Sequence, residues 1–185
     1  MLDTLVFTQV IHLTQRELPL LESRLKTINY NKLSFDSLNN FVINSFGLDI
    51  KCSDKSYQKI INLGLPSITK NKRLESFLER YYQFFSNRLS VFIQYDKEQT
   101  QFENHFWFYD QEDSELFLAK SDSFPFIKNK EIRKKSLVKL FESPKARNFM
   151  RSEYYRTEQL FHFLMAIKND AVNLIKEIEI EVSEE

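Results

Sequence analysis

The chain is short of glycine. Only Gly47 and Gly64 occur in 185 residues, where average usage of roughly 7% would give about 13. Proline occurs four times. Turn-rich folds draw on both residues, so their scarcity excludes an architecture of many short strands and points to a few long helices. Cys52 is the lone cysteine, so it forms no intramolecular disulfide and anchors no cysteine-rich zinc site. Net charge is absent too: 26 Lys+Arg balance 26 Asp+Glu. That argues against a polyanion-binding surface spread over the whole protein, though not against a local patch. No run approaches the roughly 18 apolar residues of a membrane span, and no basic-then-apolar signal peptide opens the chain. The chain as it stands is expected to be soluble.

What the sequence does have is phenylalanine, 18 of them, read here as bulky core packing. Apolar residues recur at helical spacing. Residues 2–29 read as the first long helix, with Leu5, Val10, Leu13, Leu18, Leu21, Leu25 and Ile28 along one drifting face. Pro19 lies inside it and is expected to kink or break it. Short helices are expected at 35–46, capped by Ser34 and closed by Gly47, and at 54–63, capped by Ser53 and closed by Gly64. The stretch GLPSITKN then reads as a corner, with Pro66 and Ser67 turning the chain, a short turn at 67–70, and Asn71 capping the next helix. From Lys72, residues Leu74, Phe77, Leu78, Tyr81, Phe84, Phe85, Leu89, Phe92, Phe102 and Phe106 hold three-four spacing to 108. Unbroken, that helix spans about 55 Å at ~1.5 Å per residue.

Residues 109–129 are irregular, and Phe124 and Phe126 are expected to staple this loop to the bundle. Residues 130–142 return to helix. Ser143-Pro144 marks the start of the last one, 144–181. Its stripe is Phe149, Met150, Tyr154, Leu160, Phe161, Leu164, Ile167, Ala171, Leu174, Ile175 and Ile178. The tail KEIEIEVSEE places acidic residues against the helix macrodipole, so its last turn or two is expected to fray. The fold class is all-α: an elongated helical bundle forming one domain over 1–185. Three long helices (2–29, 72–108 and 144–181) should pack lengthwise, and the short helices at 35–46, 54–63 and 130–142 should cover one end.

Few residues offer chemistry. His12, His105 and His162 fall in three different long helices, and no pair has the spacing of a helical metal site. No metal or cofactor is expected. Phosphate-cradling glycine motifs and a G-x-S-x-G nucleophile elbow are missing, and Glu112 and Asp113 read as solvated loop residues. In RTEQLFH, Arg156 and His162 match the arginine–histidine spacing of HEPN-class ribonucleases, which they resemble. There His162 would serve as general acid or base and Arg156 would hold the phosphate. Thr157 departs from the polar residue usual after that arginine. Six positions also turn about 240° on a continuous helix, so the two side chains point apart unless the helix breaks or a second subunit completes the site. Basic residues gather at Lys70, Lys72 and Arg73, and at Lys128, Lys130, Arg133, Lys134 and Lys135. Adjacent in space, they would form a local patch for anionic lipid or nucleic acid; solvated faces are the plainer reading.

Two stretches carry a resemblance. In SYQKIINLGLPSITKNKRLESFLERYY the features are Tyr57, Ile60 and Ile61, Gly64, Ile68, Asn71, Leu74, Leu78 and the Tyr81-Tyr82 pair. The second runs from Leu137 through LVKLFESPKARN to the closing LIKEIE. Both resemble an uncharacterised bacterial family of unknown function whose members usually carry one N-terminal transmembrane helix. The resemblance implies the helical soluble part of such a protein, and no activity. This chain starts after the point of that anchor, so it is expected to be a trimmed member or a soluble relative. With an anchor, the family's basic-segment-first layout implies the extracytoplasmic face of the inner membrane; without one, the cytoplasm. The functional expectation is a non-enzymatic interaction domain, acting through a protein partner or self-association. The alternatives are the HEPN-like ribonuclease and the anionic lipid or nucleic-acid binder.

Overall fold

The computed structural model describes residues 2–41, 50, 55–63, 69–108 and 130–183. Among them every element is helical, as the scarcity of turn residues implies. In order they are α1 (Leu2–Lys26), a 3-10 turn (Tyr30–Lys32), α2 (Phe35–Asn40), α3 (Lys55–Asn62) and α4 (Lys72–Phe84). A π-helical segment (Phe85–Leu89), α5 (Ser90–Phe108), α6 (Lys130–Glu142) and α7 (Pro144–Ser183) follow.

Local capping chemistry sets several of these boundaries. The Ser34 hydroxyl accepts from Ser37 N at 3.1 Å, starting α2. Asn71 Oδ1 accepts from Arg73 N at 3.0 Å and Leu74 N at 3.1 Å, starting α4. Ser143 Oγ accepts from Ala146 N at 3.2 Å, and Pro144 sits at the first helical position, where its missing N–H costs nothing. The expected caps and closers at Ser53, Gly47 and Gly64, the corner at Pro66 and Ser67, and the staple at Phe124 and Phe126 lie outside the described residues.

Three sequence expectations need correction. Pro19 does not break α1, which runs on to Lys26. Pro19 lies on the exposed face, and Gln15, whose carbonyl loses its helical donor, is exposed too, so water can take that bond. At its far end α1 stops at Lys26, leaving Ile28 outside the helix and 93% exposed. A guanidinium causes this stop: Arg147 Nη2 donates to Leu25 O at 3.0 Å and Nη1 to Thr27 O at 3.1 Å. It thereby satisfies carbonyls that a helix end leaves orphaned. Third, α7 stays helical to Ser183. Its acidic residues are tied to the start of α4: Thr69 Oγ1 and Asn71 Nδ2 donate to Glu181 at 2.7 and 2.8 Å, and Arg73 pairs with Glu177 at 2.8 Å.

The long segment 72–108 is helical throughout but not α-helical throughout. Tyr81, Phe85, Leu89 and Ile93 face the core in three successive steps of four residues. An α-helix would drift about 120° over twelve residues at ~100° each. The wide π turn at Phe85–Leu89 absorbs that drift and keeps all four on one side.

Residues group into two compact units: Met1–Thr14, Leu48–Gln94 and Gln159–Glu185 form the first, and Gln15–Gly47 with Tyr95–Glu158 the second. Each long helix contributes to both, and the short helices are divided, α3 to the first and α2 and α6 to the second. Each unit has its own core. The first buries Phe7, Val10 and Ile11 of α1, Leu89, Ile93, and Leu160, Leu164 and Ile167 of α7. Phe163 sits edge-on between Phe84 and Phe92, with centroids at 5.9 and 5.2 Å. The second unit's core holds Tyr30, Leu38, Phe41, Phe106, Trp107, Leu137, Phe141 and Met150. There Tyr30 stacks on Phe141 at 5.5 Å, and its hydroxyl donates to Arg24 O at 2.9 Å. Fully buried leucines such as Leu164 and Leu137 contribute about 1.5–3 kcal/mol each through burial.

Candidate functional site

The inward faces of the second unit are not wholly apolar. On α1 the buried set includes Arg24; on α5, Thr100 and Glu103; on α7, Glu153 and Arg156. Apart from Thr100, these positions fall three or four residues from core neighbours, so the helical period turns them inward with the hydrophobic stripe. Arg156 Nη1 and Nη2 donate to the two oxygens of Glu103 at 2.6 Å each, a bidentate fork. Its Nε donates to Asp96 Oδ1 at 2.7 Å and Nη1 also to Ser152 Oγ at 2.5 Å. Arg24 pairs with Glu153 through Nη2 and donates from Nη1 to Phe41 O at 3.1 Å.

Burial pushes the Glu103 carboxyl above the ordinary carboxylate range, although the Arg156 fork pulls it down. Glu17 on α1, though exposed, is also pushed up, by partial desolvation and then by the Glu153 charge. Burial acts against the Arg156 charge, but the Glu103 and Asp96 carboxylates hold the guanidinium firmly protonated. This is a closed arrangement in which charges answer each other. A phosphate would have to displace Glu103 and Asp96 to reach the guanidinium.

His162, the other member of the sequence-predicted pair, is exposed on α7, and the helix is unbroken between the two. Arg156 belongs to the second unit and His162 to the first. His12 and His105 are exposed as well, on α1 and α5. Among the described residues no group of His, Cys, Asp and Glu could hold a metal ion, and no helix is long and apolar enough to cross a membrane.

The basic clusters fall in different units. Lys70 and Lys72 are exposed, while Arg73 pairs with Glu177 and lies 5.8 Å from the Phe77 ring centroid. Arg80 approaches the same ring at 5.3 Å and pairs with Asp170. A basic residue in the first turn opposes the macrodipole; at Arg73 it serves a contact between α4 and α7 instead. In the second cluster Arg133 is buried, lies 5.2 Å from the Phe35 centroid and donates to Asn39 Oδ1 at 3.0 Å. Lys130 lies 5.9 Å from the same ring, Lys134 is half-buried and Lys135 exposed. Lys128 lies outside the described residues.

Sequence reasoning also misplaced part of the α7 stripe. Leu174 is buried, but Ile175 is 49% and Ile178 40% exposed, and Glu177 is the buried residue between them. Val172 at 43% and Val182 at 68% join them in an exposed aliphatic line. The tie of Glu177 and Glu181 to α4 turns that part of the helix so that the isoleucines flank the core rather than enter it.

The chain matches no family model, no curated protein and no solved structure.

Proposed function

We propose that this chain is a non-enzymatic helical interaction domain, working through contact with a protein partner or with another copy of itself. The observation that carries this reading is the line of Val172, Ile175, Ile178 and Val182, left 40–68% exposed on the last turns of α7. Single exposed apolar residues are ordinary, but a continuous strip of them marks a binding surface. The polar groups support the same reading, because Arg156, Glu103 and Asp96 engage each other instead of lining an open site. A membrane-anchored setting draws its support from the family resemblance of residues 57–82 and 137–181. The ribonuclease reading asks Arg156 for a phosphate contact while carboxylates hold it. In the anionic-surface reading Arg73 and Arg133 already have protein partners.

The test is site-specific photo-crosslinking in cells that produce the chain. Probes replacing Ile175 or Val182 should give adducts, and a probe at Asn173, exposed on the opposite side of α7, should give none. A folded protein that forms no adduct from either stripe position would overturn the reading.

A further inference from the structure

Resting on that interaction reading, we infer that the end of α7 pairs antiparallel with the same segment of a second copy of this chain, Ile175 of each lying against Ile178 of the other. Lys168, Ile175 and Val182 recur every seven residues, with Ala171 and Ile178 between them, the two-position seam of a paired helix. Lys168, Ile175, Ile178 and Val182 on this seam are exposed, and Ala171 is half-buried. The chain's own core takes the neighbouring face, where Leu174 is 8% and Glu177 7% exposed. Among the described residues the seam is thus left exposed beside the core.

Charge selects the occupant and its direction. Exposed Lys168 and Lys176 stand toward the N-terminal side of the stripe, and exposed Glu179 toward the C-terminal side. A parallel copy would set Lys168 beside Lys168 across the seam and align the two macrodipoles. An antiparallel copy brings Lys176 alongside Glu179 twice, once on each side of a two-fold axis, and opposes the two macrodipoles. The Ile175–Ile178 layer then repeats itself across the axis. A standard interface takes about 800 Å² per partner, more than this stripe supplies, so the dimer forms with rising concentration and dissociates on dilution.

The test uses Ala171→Cys and Val182→Cys chains, each in a Cys52→Ser background, mixed and oxidised. Antiparallel pairing brings positions 171 and 182 together and leaves like cysteines separated by about 16 Å, beyond the ~7 Å reach of a disulfide. The mixture should yield a disulfide-linked dimer, each chain alone should give no cross-link, and adding Ile175→Lys to both should abolish the cross-link. Sedimentation of the unaltered chain should show dimer increasing with concentration. Cross-linking by Val182→Cys alone would overturn the antiparallel arrangement. A helical protein that is monomeric in sedimentation and in every oxidised sample would overturn self-pairing. Self-pairing also fails, with the interaction reading intact, if the Ile175 photo-probe captures only a different protein. If that probe captures nothing, the interaction reading falls.

Discussion

Arg156 shows what a single buried guanidinium does in this fold. Its fork holds Glu103, its Nε holds Asp96, and none of these groups is replaced easily, because an uncompensated charge would remain in the interior. Arg156→Ala is expected to destabilise the protein by about 3–5 kcal/mol, while Arg156→Met with Glu103→Leu recovers most of that loss. Urea unfolding with matched slopes measures both; an unchanged midpoint in the single variant would show that the fork holds nothing in place. The caps at Ser34, Asn71 and Ser143 were legible in the sequence because a cap is a bond between near neighbours. The Arg156–Glu103 and Arg24–Glu153 pairs were not, since they join residues 53 and 129 positions apart. Their only local trace was a charged residue standing on an apolar stripe.

At the scale of the element, periodicity located the helices and tertiary contacts adjusted them. The bounds of α6 follow from the sequence because Ser143 and Pro144 fix where the next helix starts. The end of α1 does not, because Arg147 of a distant helix determines it. The π turn was not legible in the sequence: Tyr81, Phe85, Leu89 and Ile93 step by four, but Phe84 and Phe92 pack against the same core and supply three-four spacing that masks it. Deleting exposed Arg88 restores a four-three-four pattern. That variant is expected to stay folded, with stability within about 1 kcal/mol of the parent. Deleting exposed Gln101 from α5 instead turns Glu103, Phe106 and Trp107 by about 100° and is expected to cost more than about 4 kcal/mol. Thermal unfolding followed by circular dichroism compares the two; equal losses would mean the π turn is not the compensating device.

At the scale of the molecule, individual carboxyls of the two units respond to acid with opposite sign. Glu17 and Glu103, in the second unit, are raised above 4.5. Their contribution is full below the unfolded value and is lost as pH rises through the folded one. Glu181, in the first, is lowered below 4.5 by hydrogen bonds from Thr69 and Asn71. Its contribution is present above the unfolded value and lost as pH falls through the folded one. Glu17→Gln is therefore expected to raise the melting temperature at pH 7 and to give no gain at pH 4. Glu17 is exposed, and screening keeps the gain below about 1 kcal/mol, or under about 4 °C for a chain of this size. An equal gain at both pH values would remove the charge explanation.

The division of the chain into three stretches for one unit and two for the other has a genetic consequence. No uninterrupted piece of the coding sequence specifies either unit by itself, so an excised fragment meant to carry one core necessarily carries foreign helix with it or leaves native helix behind. Shuffling by simple recombination, the usual way modules spread between proteins, would have to move the two cores together.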